Sequence, residues 1–423
     1  MDNAAQRPIA IDLFAGAGGL SLGFEQAGFD VSVAVESDPI HALTHWYNFP
    51  YSTVVPKDIS KVSGDQLLAL VRRQQEARGM GSSNQVDAII GGPPCQGFST
   101  GGRQDVADVR NSLLLEFVRI VEEVRPATFC FENVFGLLDP KFADLRSTVF
   151  QRLRKAGYAL TGVDEAKNCV DFGVPQTRRR LIVLGVLGTE AAKPLAEFNH
   201  QVRVRDALEG LPSPSDYMQL LKSDWVQLSP QDIRKRSCAL GAYARELAGL
   251  QPSASDFSVP RIWEPTILTN SRRTEHNDIT IERFSKTEPG SVERKSRLYR
   301  LSLDGFSRTL RAGTGSDRGS HTSPRPIHPV ENRVVTVREA ARLHGFPDWF
   351  RFHTTNWHGH RQVGNSVPPP LAKSAAQSLA EALGVTPKRP SEPMALGSVD
   401  LLNCSQSLAT KIISECEISE WYV

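Results

Sequence analysis

The strongest constraint on the fold is a short apolar run, residues 86–90, that ends abruptly in Gly91-Gly92-Pro93-Pro94. An apolar run of this length, bounded by glycine and proline, predicts a buried parallel strand that stops there. Cys95 follows directly, so its thiol is expected at the carboxyl end of a strand, where open α/β sheets bind ligands. The two prolines restrict the backbone and favour a rigidly held nucleophile. A buried structural cysteine is the alternative that this stretch alone leaves open.

A second strand-end motif opens the chain. Residues 9–14 form a strand candidate that runs into Ala15-Gly16-Ala17-Gly18-Gly19, after which apolar residues recur at helical spacing. Such glycines let the backbone approach a ligand closely, and a new helix offers free N–H groups. A strand over residues 30–35 ends at Glu36, 20 residues beyond the first glycine of the GxGG run, where a carboxylate is placed to bind ribose hydroxyls. Ser21 breaks the dinucleotide fingerprint, so a nucleoside cofactor without a pyrophosphate fits better than a dinucleotide. A purely structural strand–helix corner is the alternative that the glycine turn leaves open.

Two more charged residues are predicted at the same edge of the sheet. Asp58 closes a third strand candidate and would either accept from an adenine amino group or simply begin the turn. Glu132 closes the strand candidate of residues 126–131, so consecutive βα units deliver the Cys95 thiol and a carboxylate to one edge. A helix cap is the alternative role for that carboxylate.

Three consecutive arginines, Arg178, Arg179 and Arg180, enter the apolar strand candidate of residues 181–186. Alternation along a strand puts the first and third on one face and the second on the other. Cations that enter a buried strand need partners such as phosphate, a carboxylate like Glu132, or a substrate carbonyl. An exposed edge strand is the alternative.

The βα rhythm disappears after about residue 188, where proline, serine and arginine become frequent. Residues 294–333 contain nine Lys and Arg against three Asp and Glu, a local net charge of +6 within a chain whose net charge is only +2. Charge localised in this way is expected of a surface that binds a polyanion, although solvated surface is the alternative. The glycine-rich residues 311–320 are suited to follow a nucleic-acid backbone or enter a groove.

Near the C terminus, residues 336–339 form a capping box that opens a helix, and residues 364–367 precede a proline-initiated helix that ends at Gly384. The histidines between residues 353 and 360 lack accompanying metal ligands, so we expect them to make surface or nucleic-acid contacts. Residues 386–423 are expected to form an appended tail.

The composition excludes several other classes of protein. The chain has 423 residues, of which 40% are hydrophobic, and this predicts about two or three domains with ample core. No apolar run approaches the roughly 18 residues of a membrane span, and the N-terminal residues lack the apolar core of a signal peptide. We therefore expect a cytoplasmic protein whose six scattered cysteines are reduced thiols, with neither disulfides nor a zinc site.

The order of these motifs resembles that of the cytosine-5 DNA methyltransferase family, which includes bacterial modification enzymes. The matching blocks are residues 12–19, 92–99, 131–134, 176–180 and 364–367, with weaker matches at Glu36, at Asp58 and over residues 336–350. Together they extend from about residue 9 to 383. The Pro-Cys-Gln block combined with Glu-Asn-Val at this separation is very specific.

The resemblance implies an α/β fold, with a Rossmann-like S-adenosylmethionine-dependent methyltransferase domain and a smaller, loop-rich target-recognition domain. It implies a catalytic and cofactor-binding domain over residues 1–187 and a target-recognition domain over residues 188–335. Residues 336–385 would return to the catalytic domain, and residues 386–423 would be the tail.

The resemblance also implies the reaction, which is methyl transfer from S-adenosylmethionine to carbon 5 of a flipped-out cytosine within a specific DNA sequence. S-adenosylhomocysteine is the product, and no metal is required. Cys95 would add to carbon 6, and Glu132 would hydrogen-bond ring nitrogen 3 and the exocyclic amine. Arg178 and Arg180 match the paired arginines, one of which holds the base carbonyl, and Asn133 would steady the loop that carries Glu132.

Several of the matching blocks would contribute to the cofactor site. Phe14 would stack on the adenine, Glu36 would hold the ribose and Asp58 the adenine amine. The other cofactor residues implied are Gly16, Gly18, Gly19, Pro93, Asn365 and Ser366. Nucleic-acid contacts are expected from Gln96, Ser99, Arg311 and Arg318.

Double-stranded DNA is the expected partner, a cognate restriction endonuclease is a further one considered, and the chain is expected to be a monomer that joins the nucleoid through DNA. A tRNA cytosine-5 methyltransferase would share the catalytic blocks, but the variable domain of about 140 residues exceeds what reading tRNA shape needs. A catalytically inactive DNA-binding relative is disfavoured by the intact Cys95, Glu132 and Arg178. A nicotinamide-dependent oxidoreductase is disfavoured by Ser21 and leaves Cys95 unexplained.

Overall fold

The structure is a computed structural model that describes residues 7–79, 85–94, 112–198, 200–238, 240–313 and 325–420. Four of the residues named above as site residues lie outside these ranges. They are Cys95, Gln96, Ser99 and Arg318.

Strands and helices alternate as far as Thr161, and three further strands then follow, up to Leu187. The elements in chain order are β1 (Ile9–Leu13), α1 (Gly19–Gln26), β2 (Asp30–Val35), α2 (Pro39–Asn48), β3 (Thr53–Val55), α3 (Gly64–Ala77), β4 (Ala88–Gly91), α4 (Ser112–Val124), β5 (Thr128–Val134), α5 (Ala143–Lys155), β6 (Tyr158–Thr161), β7 (Ala166–Asn168), β8 (Gln176–Thr177) and β9 (Arg179–Leu187).

The remainder of the chain consists of short elements joined by loops, followed by longer helices near the C terminus. The short elements are α6 (Val204–Leu208), β10 (Val226–Gln227), α7 (Pro230–Cys238), α8 (Ala242–Leu247), β11 (Arg261–Ile262), β12 (Ile267–Leu268), α9 (Asp278–Ser285) and β13 (Ser307–Arg308). Then come α10 (Val337–Arg342), α11 (Asn356–Asn365), α12 (Pro369–Ala382), β14 (Met394–Ala395) and α13 (Gln406–Glu420). Thr336 and Glu339 form the capping box of α10, as the sequence predicted.

Within the described residues the central sheet has eight strands in the order β3-β2-β1-β4-β5-β9-β6, with β7 also paired to β9. Strands β3, β2, β1, β4 and β5 are parallel, and β9 runs antiparallel to β5. The chain adds β2 and β3 on one side of β1 and then crosses over to place β4 on its other side. The strand order therefore reverses between β1 and β4, where open α/β sheets bind their ligands. The Rossmann-like α/β fold class is confirmed.

Helices cover both faces of the sheet, which explains why its strands appear in the sequence as continuous apolar runs. Helices α3, α4 and α5 bury one face, where Ile11 and Ile89 lie. Helices α1 and α12 bury the other face, where Ala10 and Val31 lie. Helix α12 can lie directly on α1 because Gly23 has no side chain, since a Cβ there would be 2.3 Å from the Cβ of Ala372. This contact joins the C-terminal segment to the N-terminal sheet.

The basic region offers less surface charge than its composition suggested. Arg333 is 6% exposed and forms ion pairs with Glu339 at 2.7 Å and Glu331 at 2.9 Å. Arg300 is also buried, and its guanidinium donates to backbone carbonyls that include those of Thr287 and Val330. The local charge of +6 therefore overstates what residues 294–333 present to a polyanion.

The expectation that the C-terminal histidines lie at the surface is wrong for His353 and His360, which are both buried. The Nε2 atom of His353 lies 2.9 Å from the carbonyl oxygen of Cys404, in the C-terminal tail that covers it. Burial lowers the pKa of both imidazoles. Over the described part of the chain, no group of three or more His, Cys, Asp or Glu side chains is placed to hold a metal.

The tail of residues 386–420 packs against the rest of the molecule. Strand β14 pairs with β11, and the buried Cys404 and Ala409 contact Ile40 and Leu43 of α2. Cys130, Cys169 and Cys404 are free, buried thiols. In the ranges that the structure describes, no helix combines the length and apolarity needed to cross a bilayer.

Candidate active site

A cavity of about 330 Å³ opens at the carboxyl ends of β1, β2, β4 and β5, where the strand order reverses. Small-molecule sites usually measure about 300–1,000 Å³, so the cavity is large enough for one. The predicted site residues that line it are Phe14, Gly16, Gly19, Glu36, Asp58, Pro93, Glu132, Arg178, Arg180, Asn365 and Ser366. Gly18, Asn133 and Arg311 are not part of its lining.

The turn after β1 has an unusual backbone. Phe14 has φ of 61°, a left-handed conformation that a bulky residue rarely adopts, and Gly16 has φ of 57°. Strain of this kind occurs mainly where a site requires a particular side-chain direction. Among the described residues, apart from its two chain neighbours, none comes within 4 Å of a Cβ built on Gly16, so this part of the chain leaves open space there. The turn is suited to hold a flat ring system next to a polar group.

Glu36, directly after β2, connects two of the strand-end loops. One carboxylate oxygen accepts from the N–H of Gly16 at 2.8 Å, and the other accepts from the N–H of Asp38 at 2.7 Å. A carboxylate oxygen can accept two hydrogen bonds, so each oxygen can also accept one from a ligand hydroxyl. Glu36 is thereby fixed in a position from which it can bind vicinal hydroxyl groups.

Asp58 has the turn-starting role that was one of its two predicted alternatives, and it also lines the cavity. Its carboxylate accepts from the N–H of Ser60 at 2.9 Å and from the Ser60 hydroxyl at 2.7 Å, so it begins the turn after β3. These two hydrogen bonds lower its pKa, which keeps it ionised and able only to accept. Because it also lines the cavity, an amino group of a ligand could donate to it.

Glu132 and Arg180 form an ion pair inside the cavity. The Nε atom of Arg180 lies 2.8 Å from Oε1 of Glu132, and the two side chains are 12% and 11% exposed. The sheet register explains the contact: Arg180 is opposite Val134, and Glu132 lies two residues along the same face of β5. The other oxygen, Oε2, points toward Gly92, where a Cβ would lie only 2.8 Å away. Glu132 therefore faces the loop that leads to Cys95.

Asn133 is fully buried behind this pair. Its amide Nδ2 donates to the carbonyl of Pro93 at 3.3 Å, and its Oδ1 accepts from the N–H of Val134 at 3.0 Å. The side chain thus ties β5 to the Pro93–Pro94 loop, which precedes Cys95.

Arg178 differs from Arg180 in its partners. It is 2% exposed, and its guanidinium donates to the carbonyls of Leu310 at 2.9 Å, Gly364 at 2.9 Å and Ser366 at 3.1 Å. Gly364 and Ser366 line the cavity, and Leu310 precedes the residues that pack against Gly364. Arg178 therefore holds the backbone of Leu310 and of Gly364–Ser366 together, whereas Arg180 lies next to the Glu132 carboxylate.

The C-terminal segment approaches the N-terminal turn very closely. A Cβ on Gly19 would lie 2.4 Å from the carbonyl oxygen of Val367 and 3.0 Å from the Cβ of Ser366. The absence of a side chain at Gly19 is what allows Asn365 and Ser366 to form one wall of the cavity.

Sequence reasoning missed an ion pair at the rim of the cavity. Arg361 lies 2.9 Å from Asp38, and both residues line the opening together with Lys57. The spacing contained a signal, because Arg361 precedes Asn365 by one helical turn and must share its face of α11.

A buried polar trio beneath the glycine turn was also missed. The hydroxyl of Ser21 donates to Asp12 at 2.5 Å and lies 3.0 Å from Nε2 of His45, and all three side chains are fully buried. Burial raises the pKa of Asp12 to about 7 and lowers that of His45 to about 3. The trio connects β1, α1 and α2 under the cavity floor.

Comparisons with known proteins agree on one family. A sequence model of the C-5 cytosine-specific DNA methylase family matches residues 9–381. The chain is 45% identical over 401 residues to the type II methyltransferase M.XorII of Xanthomonas oryzae pv. oryzae, covering 95% of this chain and 91% of that protein. It is 30% identical to the type II methyltransferase M.DdeI of Desulfomicrobium norvegicum, covering 87% of this chain and 88% of that protein.

The fold is also similar to that of a solved structure. A crystal structure of an E. coli protein described as a prophage-encoded DNA modification methyltransferase superposes with a TM-score of 0.68 at 32% sequence identity. The match covers 89% of this chain and 99% of the other.

Proposed function

Because the chain belongs to the C-5 cytosine-specific DNA methylase family and is a DNA (cytosine-5-)-methyltransferase, we propose that it acts on a flipped-out cytosine within a specific duplex sequence. The methyl donor is S-adenosylmethionine, and the reaction proceeds through a covalent adduct with Cys95. One observation supports this above all: Phe14, Glu36 and Asp58 share a single cavity with the Glu132–Arg180 pair.

The residues around the cavity fit the adenosine half of the donor. Phe14 offers an aromatic face, Glu36 can accept from the ribose hydroxyls, and Asp58 can accept from the adenine amine. The open space at Gly16 and the N-terminal N–H groups of α1 suit the methionine part. When bound, S-adenosylmethionine supplies a methyl group on a positively charged sulfur, from which a carbon nucleophile can displace it.

Cys95 makes carbon 5 of cytosine nucleophilic. Its thiolate adds to carbon 6, which leaves an enamine whose carbon 5 can take the methyl group. A base then removes the proton from carbon 5, and the bond between the Cys95 sulfur and carbon 6 breaks, restoring both the aromatic ring and the thiolate. Pro94, the residue directly before Cys95, lines the same cavity as Glu132, which supports their cooperation on one base.

Glu132 stabilises the charge that develops on the ring. Addition at carbon 6 increases electron density at ring nitrogen 3, and Glu132 hydrogen-bonds that nitrogen and the exocyclic amine. Arg180 orients the Glu132 carboxylate through its contact with Oε1, and this position beside Glu132 supports Arg180 as the arginine that holds the base carbonyl. Arg178 contributes indirectly, because its donors are engaged by the backbone of the C-terminal segments.

A cytosine inside a duplex cannot reach this cavity, so the base must leave the stack, at a cost of a few kcal/mol. Residues 188–335 act as the target-recognition domain that reads the surrounding sequence. Arg311 is exposed and lies beside Gly364 at the cavity wall, so it can contact the DNA backbone near the flipped base.

The proposal is tested by incubating the protein with radiolabelled S-adenosylmethionine and either duplex genomic DNA or bulk tRNA. We expect label in 5-methyl-2′-deoxycytidine from DNA, and base-resolution sequencing should place it within one short sequence. Label confined to tRNA, or on another atom of the base, would overturn the proposal.

A further inference from the structure

A buried chain of hydrogen bonds runs from β8 to the wall of the cavity. The N–H of Leu310 donates to Oε1 of Gln176 at 3.0 Å, the Nε2 of Gln176 lies 2.9 Å from Nδ1 of His344, and the Nε2 of His344 lies 2.9 Å from the carbonyl of Ser366. All four residues are buried. None of the catalytic steps proposed above uses His344.

The protonation state of His344 follows from its two neighbours. A carbonyl oxygen can only accept, so Nε2 of His344 must carry the hydrogen that is donated to Ser366. At the other end, the Leu310 N–H fixes Oε1 of Gln176, so the Gln176 amide presents its N–H to Nδ1 of His344, which must accept. Burial, together with the nearby charge of Arg178, holds the pKa of His344 well below its usual range, in agreement with a neutral ring.

Arg178 closes this chain into a ring. It donates to the carbonyl of Leu310, whose N–H is bound by Gln176, and to the carbonyl of Ser366, which also accepts from His344. Leu310 and Ser366 are therefore each held from two sides. A displacement of one segment breaks at least two hydrogen bonds unless the other segment follows.

The two segments joined in this way have different roles in the proposed reaction. Ser366 and its neighbour Asn365 form a wall of the cofactor cavity. Leu310 directly precedes the exposed Arg311, and a Cβ on Gly364 would lie 2.4 Å from the backbone nitrogen of Ala312, so the segments pack backbone against backbone. This closed set of hydrogen bonds thus lies between the cavity wall formed by Asn365 and Ser366 and the segment that carries a DNA-contacting arginine.

We propose that His344 is a positioning residue that couples cofactor binding to DNA binding through Ser366 and Leu310. This inference rests on the proposed function. Cofactor bound against the Asn365–Ser366 wall orders residues 310–312 for DNA, and DNA bound to Arg311 orders the wall for the cofactor. Linkage requires the two effects to be equal, so each ligand raises the affinity of the other by the same factor.

The test measures the dissociation constant of S-adenosylhomocysteine with and without a saturating duplex that contains the methylated sequence. The coupling ratio is the dissociation constant without DNA divided by that with DNA. Coupling between sites is typically about 5- to 150-fold, and we expect the wild-type ratio to lie in that range. His344→Phe keeps a flat ring beside Phe346 but removes both hydrogen bonds, and it should bring the ratio to within about twofold of one. His344→Gln, which can again donate to Ser366, should recover part of the coupling.

His353→Phe is the matched control, because His353 is also buried and also contacts a backbone carbonyl, that of Cys404, away from the cavity. It should lower the melting temperature by a similar amount and keep the wild-type ratio. Gln176→Met, which breaks the same chain at its other end, serves as the second variant if His344→Phe does not fold, and should also abolish the coupling.

Three results would overturn the inference while leaving the proposed function intact. The first is a ratio of one in the wild-type protein. The second is that both His344→Phe and Gln176→Met keep the ratio of the wild-type protein. The third is that His353→Phe loses as much coupling as His344→Phe. Failure of the wild-type protein to bind S-adenosylhomocysteine or to methylate DNA would instead contradict the proposed function.

Discussion

The Nε atom of Arg180 lies 2.8 Å from Oε1 of Glu132, in the cavity that also holds Phe14 and Glu36. The pair leaves Oε2 of Glu132 directed toward Gly92 and the loop that leads to Cys95. A carboxylate oriented in this way can meet the edge of a base while the thiol meets its face.

Glu132→Gln should lower kcat for methyl transfer by about 10²-fold or more, because general acid–base groups typically contribute 10²–10⁴-fold. The KM for S-adenosylmethionine should change little, since Glu36 and Asp58 remain. Steady-state kinetics on duplex DNA provide the measurement. Glu122→Gln is the control and should behave as wild type, because it breaks only a surface ion pair between Glu122 on α4 and Arg152 on α5. A kcat for Glu132→Gln within threefold of wild type would remove Glu132 from the chemistry.

Asp12→Asn should change how stability depends on pH. The pKa of Asp12 is raised from 3.8 to about 7 by burial, so between these values the folded protein retains a proton that the unfolded chain has lost. The bound proton therefore stabilises the folded protein fully below about pH 4, and this stabilisation is lost as the pH rises through 7. The resulting fall in the free energy of unfolding is about 4 kcal/mol. Asparagine resembles the protonated side chain and should remove that decline.

Urea unfolding at pH 4.5, 6 and 8 measures this effect. The wild-type free energy of unfolding should fall over the series relative to that of Asp12→Asn, and the variant should be the more stable protein at pH 8. Asp144→Asn, at an exposed position in the first turn of α5, is the control and should keep the wild-type trend. If the free energy of unfolding depended on pH in the same way for wild type and Asp12→Asn, Asp12 would ionise normally in the folded protein.

Gly19→Ala should weaken cofactor binding. The new Cβ would lie 2.4 Å from the carbonyl of Val367, so the wall formed by Asn365 and Ser366 must move. Overpacking of this kind costs about 1–3 kcal/mol, which corresponds to an increase in the dissociation constant of S-adenosylhomocysteine of about 5- to 150-fold. In Gly241→Ala, which is the control, the one contact within 4 Å of the new Cβ among the described residues, chain neighbours aside, is a Glu209 side-chain oxygen at 3.0 Å, away from the cavity. Binding of S-adenosylhomocysteine is measured by calorimetry. Equal affinities for Gly19→Ala and Gly241→Ala would show that the Asn365–Ser366 wall does not contribute to cofactor binding.

Arg311→Ala should reduce DNA affinity and also its dependence on salt. A phosphate contact releases about one counterion, so the slope of log K against log salt concentration should fall in magnitude by about 1. Arg154→Ala is the control, because the exposed Arg154 is at the C-terminal end of α5, at the edge of the sheet opposite the cavity. Fluorescence anisotropy over a salt series provides the slopes. An unchanged slope in Arg311→Ala would place that side chain away from phosphate.

The strands of the sheet were predictable because helices bury both of its faces, so each strand is a continuous apolar run. Residues 30–35 were predicted as a strand and form β2 (Asp30–Val35). Strand β5 extends to Val134, beyond the predicted end at residue 131, because the residues after it pair with β9. That pairing depends on a strand about 50 residues away in the chain, and no local pattern reports it.

The parts of the site that could not be predicted depend on contacts between distant residues. Gln176 and His344 are 168 positions apart, and neither shows in its own neighbourhood that the other lies beside it. The burial of His353 escaped prediction for the same reason, since its partner Cys404 lies 51 positions away in the C-terminal tail. Local patterns therefore located the strand-end residues, and tertiary structure determined which of them meet.

The proposed reaction requires a bond between the Cys95 sulfur and carbon 6 of the target cytosine. It is tested with a pool of random-sequence duplexes in which 5-fluorocytosine replaces cytosine, incubated with the protein and S-adenosylmethionine. Fluorine at carbon 5 cannot leave as a proton does, so the methylated adduct cannot eliminate the enzyme. The account predicts a denaturant-stable protein–DNA species whose peptide mass locates the methylated base on Cys95, and none with Cys95→Ser. A stable adduct on another residue, or normal product release from the fluorinated DNA, would contradict it.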